Sequence, residues 1–170
     1  MKLFDYQDKF IDECIWKSKL LELKGYLLDA PAGSGKSYGS LALMEMLDID
    51  TIIVICPKKA VNDVWDETIT RVYSEPQTYS MSLPVLHGPS KPAGFDINDR
   101  FIVCHYESLG KLNEYLDSVK IPNKRYSIVL DECHSLNSHN SERSIQFREL
   151  NKKINPEFCL WMSGTPIKAL

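Results

Sequence analysis

The sequence predicts an α/β protein in which a mostly parallel β-sheet is flanked by helices. Strand-like and helix-like segments alternate along the chain, which is typical of this class. The runs at residues 51–56, 101–104 and 126–130 are apolar almost throughout, as in parallel strands buried on both faces. We expect residues 1–170 to form one domain, because 44% of them are hydrophobic and 25% are charged, as in ordinary globular domains.

The first element is expected to be a helix over residues 5–23, because apolar residues separated by polar ones share one face. That face consists of Phe10, Ile11, Cys14 and Ile15. Gly25 is expected to end the helix, and a short apolar strand follows at residues 26–29. A glycine-rich turn then leads into a second helix at residues 36–47.

The alternation continues to the end of the chain. The strand at residues 51–56 is closed by Pro57, and a helix is expected at residues 60–72. Residues 74–99 contain four prolines, so we expect turns around one short strand near residues 85–86. The remaining expected elements are the strand 101–104, a helix near 107–118, the strand 126–130, a helix near 142–153 and the strand 158–162.

Charge and hydropathy exclude several classes of protein. No apolar run reaches the roughly 18 residues that a membrane-spanning helix needs. The N-terminus lacks the charged-then-apolar pattern of a secretion signal, so we expect a cytoplasmic protein with no membrane partner. The net charge is −3, and any contact with nucleic acid would therefore come from a local groove rather than from the overall field.

The five cysteines are odd in number and widely spaced, and no C-x-x-C pair occurs. This pattern is typical of reduced thiols in a cytosolic core. A zinc site at Cys133, His134 and His139 is the alternative, although this spacing matches no standard zinc pattern.

The strongest local signal for function is the glycine-rich segment between the first strand and the second helix. It approximates the phosphate-loop pattern G-x-x-x-x-G-K-[ST], with Ala30 in place of the first glycine. Such a loop points backbone N–H groups at phosphate oxygens, and the helix that follows favours an anion at its N-terminus. Lys36 is expected to reach the β- and γ-phosphates of ATP, and the Ser37 hydroxyl is expected to bind Mg²⁺. The expected nucleotide-binding residues of this segment are Ala32, Gly33, Ser34, Gly35, Lys36 and Ser37.

A pair of acidic residues, Asp131 and Glu132, follows the strand at residues 126–130. The carboxyl end of a strand in a parallel sheet borders the ligand crevice. Asp131 is expected to hold the Mg²⁺ shell, and Glu132 is expected to accept a proton from the attacking water. Together with Lys36, they are the expected catalytic residues of an ATP hydrolase.

Residues 131–134, Asp-Glu-Cys-His, resemble the D-E-x-H box of superfamily-two helicases and translocases, and the chain most resembles the Swi/Snf-like group. The resemblance covers nearly the whole chain. Further motifs of the group are matched in sequence order at residues 3–7, 53–57, 87–88, 101–109, 137–144 and 162–167. The resemblance implies a three-layer P-loop NTPase fold, specifically the first RecA-like lobe, with ATP and Mg²⁺ as ligands.

The same resemblance implies roles for residues outside the phosphate loop. It makes Gln7 the candidate reader of the adenine base. It makes His134 a link from the acidic box to Ser163 and Thr165, which would couple hydrolysis to movement. Contacts with nucleic acid are implied at Pro57, Lys58, Tyr106 and Ser108.

The sequence also departs from the group. Its phosphate loop differs from the D-E-M-G-L-G-K-T of that group, although Ser37 keeps the hydroxyl that binds magnesium. The chain stops shortly after Pro166 without the second RecA-like lobe, which carries the arginine fingers and half of the DNA track. We expect that lobe in a longer protein or in trans, and only slow hydrolysis without it. The expected partner is DNA, double-stranded by the resemblance, in a bacterial or phage-infected cell.

The sequence leaves two alternatives to a DNA translocase. A naturally short chain would act as a stand-alone ATP-sensing module that regulates a partner without efficient turnover. A small-molecule P-loop kinase is less consistent with the sequence, since such kinases have no use for the D-E-x-H box or for the Ser-Gly-Thr-Pro segment at residues 163–166.

Overall fold

The chain folds around a six-stranded parallel sheet. A computed structural model describes residues 3–73, 85–86 and 97–164. The strands are β1 (Gly25–Asp29), β2 (Thr51–Cys56), β3 (Val85–Leu86), β4 (Phe101–His105), β5 (Tyr126–Leu130) and β6 (Phe158–Ser163). Their order in the sheet is β1-β6-β5-β2-β4-β3, and every neighbouring pair is parallel.

Helices fill the connections between the strands. The α-helices of the described ranges are α1 (Asp5–Leu21), α2 (Lys36–Met46), α3 (Glu67–Tyr73), α4 (Leu109–Ser118) and α5 (Glu142–Ile154). A π-helical turn at Val61–Asp66 leads directly into α3. Short 3₁₀ turns lie at Tyr106–Ser108, before α4, and at Cys133–Leu136, after β5.

The sheet is covered on both faces, because successive side chains of a strand point to opposite sides. On one face, Ile52 and Val54 of β2 belong to a core cluster with residues of α1, α2 and α3. On the other face, Ile53 and Ile55 belong to a cluster with residues of α4 and α5. Three layers result, and the predicted α/β RecA-like fold is confirmed. The expectation of a single domain over residues 1–170 stays a prediction.

The structure corrects two boundaries. The first helix ends at Leu21 instead of residue 23, because Glu22 takes the left-handed conformation with φ 52° and stops it. Gly25 is therefore the first residue of β1 rather than the end of the helix. The helix expected at residues 60–72 begins as the π-helical turn. The predicted strand at 85–86 is confirmed, and the turns expected at 74–84 and 87–96 lie outside the described residues.

No helix in the described ranges is both long enough and apolar enough to cross a membrane.

Candidate nucleotide-binding site

The predicted functional segments meet at one edge of the sheet. Because all strands are parallel, their carboxyl ends point the same way. The loop at residues 30–35 follows β1, the acidic pair at 131–132 follows β5, and Gly164 follows β6. β6 lies between β1 and β5 in the sheet, so its end separates the loop from the acidic pair.

The phosphate loop, residues 30–35, turns through two glycines in the left-handed region. Gly33 has φ +78° and Gly35 has φ +73°, and Gly35 caps α2. The first N–H groups of a helix lack partners within it, and the helix dipole makes this end favourable for an anion. In the described part of the chain, the buried Oγ of Ser34 also has no hydrogen-bond partner. The loop therefore offers donors suited to phosphate oxygens.

The Lys36 side chain folds back over this loop. Its Nζ donates hydrogen bonds to the carbonyl oxygens of Ala30, at 2.8 Å, and Pro31, at 3.1 Å. The ammonium also faces the end of β6, because a Cβ built on Gly164 would lie 3.4 Å from Nζ. Lys36 therefore lies between the phosphate loop and the end of β6.

The start of α1 holds the phosphate loop from the other side. The Tyr6 hydroxyl donates to the carbonyl oxygen of Ser34 at 2.6 Å, and the Gln7 Nε2 donates to that of Gly35 at 3.1 Å. Gln7 is 5% exposed, and its Oε1 accepts from the backbone N–H of Phe4 at 3.0 Å. Both ends of the Gln7 amide thus hold the protein's own backbone. Its role as adenine reader stays a prediction.

A small cavity of about 80 Å³ lies between α1 and the phosphate loop. Tyr6, Gln7 and Phe10 line it from α1, and Leu28 closes it from β1. Ligand sites usually exceed roughly 300 Å³, so this cavity has room for only part of a nucleotide.

Asp131 is fixed from several directions at the end of β5. It is 7% exposed, and its Oδ2 accepts a hydrogen bond from the Trp65 Nε1 at 3.0 Å. Its carbonyl oxygen accepts from the Tyr106 hydroxyl at 2.7 Å, and its N–H donates to the carbonyl oxygen of Ile55 at 2.8 Å. Burial raises the pKa of the Asp131 carboxyl, while the Trp65 hydrogen bond and the nearby Lys36 charge act in the opposite direction.

Glu132 has an unusual backbone conformation, with φ 52° and ψ 53°. A residue other than glycine costs about 1–3 kcal/mol in this region, and such strain is common at functional sites. The strained turn carries the carboxylate toward the end of β6, where its Oε2 accepts from the Gly164 N–H at 3.2 Å. A Cβ on Gly164 would lie 2.8 Å from Oε1, so the absence of a side chain there makes room for the carboxylate.

Of the predicted coupling residues, His134 contacts the acidic pair directly. Its Nδ1 lies 3.3 Å from the Glu132 Oε2. Ser163 is fully buried at the end of β6, and its carbonyl oxygen accepts from the Ala30 N–H at 3.2 Å. Thr165 lies outside the described residues. The coupling role of all three residues stays a prediction.

The predicted nucleic-acid residues lie at the same edge, after β2 and β4. Lys58 is exposed and Pro57 is half-buried. The side chains of Tyr106 and Ser108 are 2% and 1% exposed. The Tyr106 hydroxyl is bonded to Asp131, and the Ser108 Oγ lies 2.9 Å from a ring nitrogen of His105. Contact with nucleic acid stays a prediction at all four positions, with Lys58 the most accessible.

The predicted magnesium ligands fit the way this ion binds in nucleotide sites. Magnesium there takes one or two carboxylates together with phosphate oxygens and water. Asp131 supplies a carboxylate at the edge, and Ser37 supplies a hydroxyl in the first turn of α2. Within the described ranges, no cluster of three His, Cys, Asp or Glu side chains could hold a metal ion by itself, including Cys133, His134 and His139.

Sequence reasoning missed two residues that build this site. Trp65 is 0% exposed, and its hydrogen bond to Asp131 does not follow from any of the sequence motifs. A signal was present, because a buried indole N–H usually has a partner. Tyr6 lies in the segment that resembles a helicase motif, yet nothing in the sequence indicated that its hydroxyl reaches Ser34, 28 residues away.

The chain matches a known protein family over nearly its whole length. Residues 1–168 match the family described as "Type III restriction enzyme, res subunit", and the chain belongs to this family. The fold and the family together define a superfamily-two helicase-like ATPase domain, at the level of its N-terminal lobe. No curated protein matches the chain.

A solved structure shares the fold. It is described as a "nuclease-deletion mutant of the Type ISP restriction-modification enzyme LlaGI in complex with a DNA substrate mimic". The TM-score is 0.63 at 16% sequence identity, over 98% of this chain. The present chain spans only 18% of that protein. At this identity the likeness concerns the fold alone.

Proposed function

We propose that this chain is the ATP-binding lobe of a DNA-dependent ATPase of the helicase or DNA-translocase type. The observation that carries the proposal is the meeting of two distant segments at Gly164. The Lys36 ammonium and the Glu132 carboxylate, one from each segment, both border this residue. A phosphate-binding cation and a proton acceptor at one point are what hydrolysis of a triphosphate needs.

Each residue has a role in this proposal. The phosphate loop and Lys36 bind the triphosphate and neutralise charge that develops during transfer. Ser37 and Asp131 would hold Mg²⁺, which when bound polarises the phosphate and helps to neutralise its charge. Glu132, held by the Gly164 N–H, takes the proton of the attacking water. His134 lies against Glu132 and would pass the state of the site to residues 163–165.

Nucleotide binding by variants tests the phosphate site. We expect Lys36→Ala to weaken MgATP binding about 10- to 100-fold, because a hydrogen bond to a charged group is worth about 1.5–3 kcal/mol. Glu132→Gln should keep the affinity and lose hydrolysis. Calorimetric titration with MgATP measures the first effect, and phosphate release measures the second.

Lys124→Ala is the matched control for Lys36→Ala. Lys124 lies just before β5, at the opposite edge of the sheet, and its ammonium donates a hydrogen bond to the carbonyl oxygen of Asn98. Its loss removes one positive charge without touching the site. Equal MgATP affinity in the wild type and Lys36→Ala would overturn the assignment of the phosphate loop.

The second lobe is part of the proposal. Arginine fingers are worth about 10³–10⁵ in rate in related phosphoryl transfers, so the chain alone should turn over slowly. We expect a second RecA-like lobe, joined to it or added in trans, to restore hydrolysis that DNA stimulates. Failure to restore it, with ATP binding intact, would favour the ATP-sensing module instead.

DNA is the proposed track, and Lys58 is the proposed contact for its phosphates. The DNA-bound state of the LlaGI structure supports DNA as the polymer, and the exposure of Lys58 at the site edge supports the contact. Lys58→Ala should weaken binding to duplexes of all sequences and reduce the slope of log affinity against log salt by about 1. An unchanged slope, measured by fluorescence anisotropy, would contradict the contact. The Swi/Snf-like grouping and a double-stranded track are proposed from the motifs alone.

A further inference from the structure

We propose that Trp65 is a positioning residue for magnesium, which holds the Asp131 carboxylate in the orientation that binds the metal. This inference rests on the proposed function, because it assumes that Asp131 binds Mg²⁺ with ATP. It adds a residue that lies far from Asp131 in sequence and outside the phosphate loop and the acidic box.

The contact is made out of reach of solvent. The Trp65 Nε1 donates to the Asp131 Oδ2 at 3.0 Å, with Trp65 0% and Asp131 7% exposed. A hydrogen bond in such surroundings is stronger than in water, and it has no water to compete with it. One carboxylate oxygen is thereby anchored, and the direction of the other is fixed.

Asp131 is held from both faces of the sheet, by Trp65 at its side chain and by Tyr106 at its backbone. Trp65 belongs to the core cluster of α1, α2 and α3, whereas Tyr106 belongs to the cluster of α4 and α5. The Tyr106 hydroxyl binds the Asp131 carbonyl oxygen, and the Ile55 carbonyl oxygen binds the Asp131 N–H. The peptide groups are therefore fixed independently, and the remaining freedom of Asp131 is that of its side chain. Trp65 restrains that freedom.

The segment around Trp65 has the geometry that this role requires. Trp65 lies in the π-helical turn Val61–Asp66, and turns of this kind are frequent at functional sites. Val61, Trp65 and Ile69 are buried along one side of the turn and of α3, which directs the indole toward the sheet. A buried indole N–H usually has a hydrogen-bond partner, and here that partner is the predicted metal carboxylate.

Outer-shell hydrogen bonds of this kind affect metal binding strongly. Loss of a residue that orients a ligand usually costs about 10- to 100-fold in metal affinity or activity. We expect Trp65→Phe, which keeps an aromatic ring but removes the donor, to raise the half-saturating Mg²⁺ concentration about tenfold.

The test titrates MgCl₂ into the full chain with the non-hydrolysable analogue AMP-PNP and follows the melting temperature. The readout is the Mg²⁺ concentration at half of the maximal stabilisation, which does not depend on turnover. Trp161→Phe is the matched control, because Trp161 is half-buried and packs edge-on against Phe147 at 5.3 Å between ring centroids. It should leave the Mg²⁺ midpoint unchanged.

An isosteric replacement keeps the test valid if Trp65→Phe does not fold. The chain has three tryptophans, so Trp16→Phe with Trp161→Phe leaves Trp65 as the single indole. Benzothienylalanine, incorporated in place of that tryptophan, preserves the two-ring shape and replaces the N–H by sulfur. A tenfold weaker Mg²⁺ response in this protein than in its tryptophan form supports the proposal.

Two outcomes would overturn the inference at different levels. If the wild type responds to Mg²⁺ and the donor-free proteins respond at the same concentration, Trp65 only packs, and the proposed function stands. If the wild type with AMP-PNP shows no Mg²⁺ response at all, the proposed function fails and the positioning role fails with it.

Discussion

At the scale of single residues, Gly35 is where the loop and α1 constrain each other most. Its φ of +73° is costly for any residue with a Cβ, and a Cβ there would lie 2.5 Å from the Gln7 Nε2. Gly33 shares the positive φ, +78°, but a Cβ there would meet no atom within 4 Å. A substitution at Gly33 therefore tests backbone strain alone, whereas one at Gly35 tests backbone strain together with the contact with Gln7.

We predict that Gly33→Ala lowers the free energy of unfolding by about 1–2 kcal/mol, the cost of a left-handed alanine. Gly35→Ala should lose that amount and more, because the Gln7 amide must also move. It should weaken MgATP binding further than Gly33→Ala does. Urea unfolding and calorimetric titration measure the two effects, and equal losses in both variants would show that the Gln7 contact carries no energy.

A second prediction concerns Gly164. In Gly164→Ala the new methyl would lie 2.8 Å from the Glu132 Oε1, so the carboxylate must shift. A misplacement of about 1 Å can cost about 100-fold in rate. We expect a single-turnover rate of ATP hydrolysis lower by at least about tenfold, with MgATP affinity nearly unchanged.

Gly110→Ala is the control for that variant. Gly110 lies in α4, and a Cβ there would meet only Gln146, at the ordinary distance of 3.7 Å, and no atom of the acidic pair or the phosphate loop within 4 Å. This variant should hydrolyse ATP like the wild type. A normal rate in Gly164→Ala as well would mean that Glu132 does not act from the position seen here.

The cysteines give a third prediction. All five are free and buried, and burial raises the pKa of Cys14 and Cys104 to about 12 and that of Cys159 to about 11. The thiolate is the reactive form of cysteine. Because these pKa values are raised, little thiolate exists below pH 9. We expect almost no reaction with a thiol reagent at pH 8 and five equivalents in urea. Fast reaction of one thiol in the native protein would contradict its burial.

At the scale of elements, α1 acts as a support for the phosphate loop. The Tyr6 hydroxyl and the Gln7 amide both donate hydrogen bonds to carbonyl oxygens of the loop. These two contacts fix the end of the loop that leads into α2. The sequence predicted both elements, but their contact depends on packing between segments that are 28 residues apart.

We therefore predict that Tyr6→Phe weakens MgATP binding about 2- to 10-fold, since a hydrogen bond contributes about 0.5–1.5 kcal/mol. Tyr126→Phe is the matched control. Its hydroxyl donates to the carbonyl oxygen of Pro122 at the opposite edge, so its loss should affect stability and not nucleotide affinity. Equal MgATP affinity in Tyr6→Phe and the wild type, by calorimetric titration, would exclude a role of this bond in the loop.

The strands were the most predictable elements, and the segment after β2 was the least. β2 and β5 match the expected residues 51–56 and 126–130, because their nearly continuous apolar residues predict strands that are buried on both faces. The helix expected at 60–72 contains the π-helical turn at Val61–Asp66. Hydrophobic spacing cannot distinguish this turn from an α-helix, since both bury Val61 and Trp65 on one side.

At the scale of the whole molecule, the site is assembled by sheet order. That Lys36 and Glu132 lie at the same edge of the sheet was predictable from motifs that follow two strands. The strand that lies between these two segments was not predictable. It is β6, which comes last in the sequence and inserts between β1 and β5. Strand order depends on long-range pairing, which no local pattern in the sequence records.

We predict that a chain ending at Ile154 shows no cooperative unfolding transition. Without β6, the ladders from Gly25 to Asp29 and from Ser127 to Leu130 lose their shared partner in the middle of the sheet. A chain ending at Gly164 keeps every described strand and should unfold cooperatively. Thermal melts followed by circular dichroism compare the two, and a sharp transition in the shorter chain would contradict this strand order.

The same arrangement has a consequence during synthesis. The phosphate loop leaves the ribosome well before β6, yet β1 has no partner in the sheet until residues near 160 have emerged. If the chain binds ATP as proposed, a nascent chain would gain no stability from the nucleotide until β6 has paired with β1.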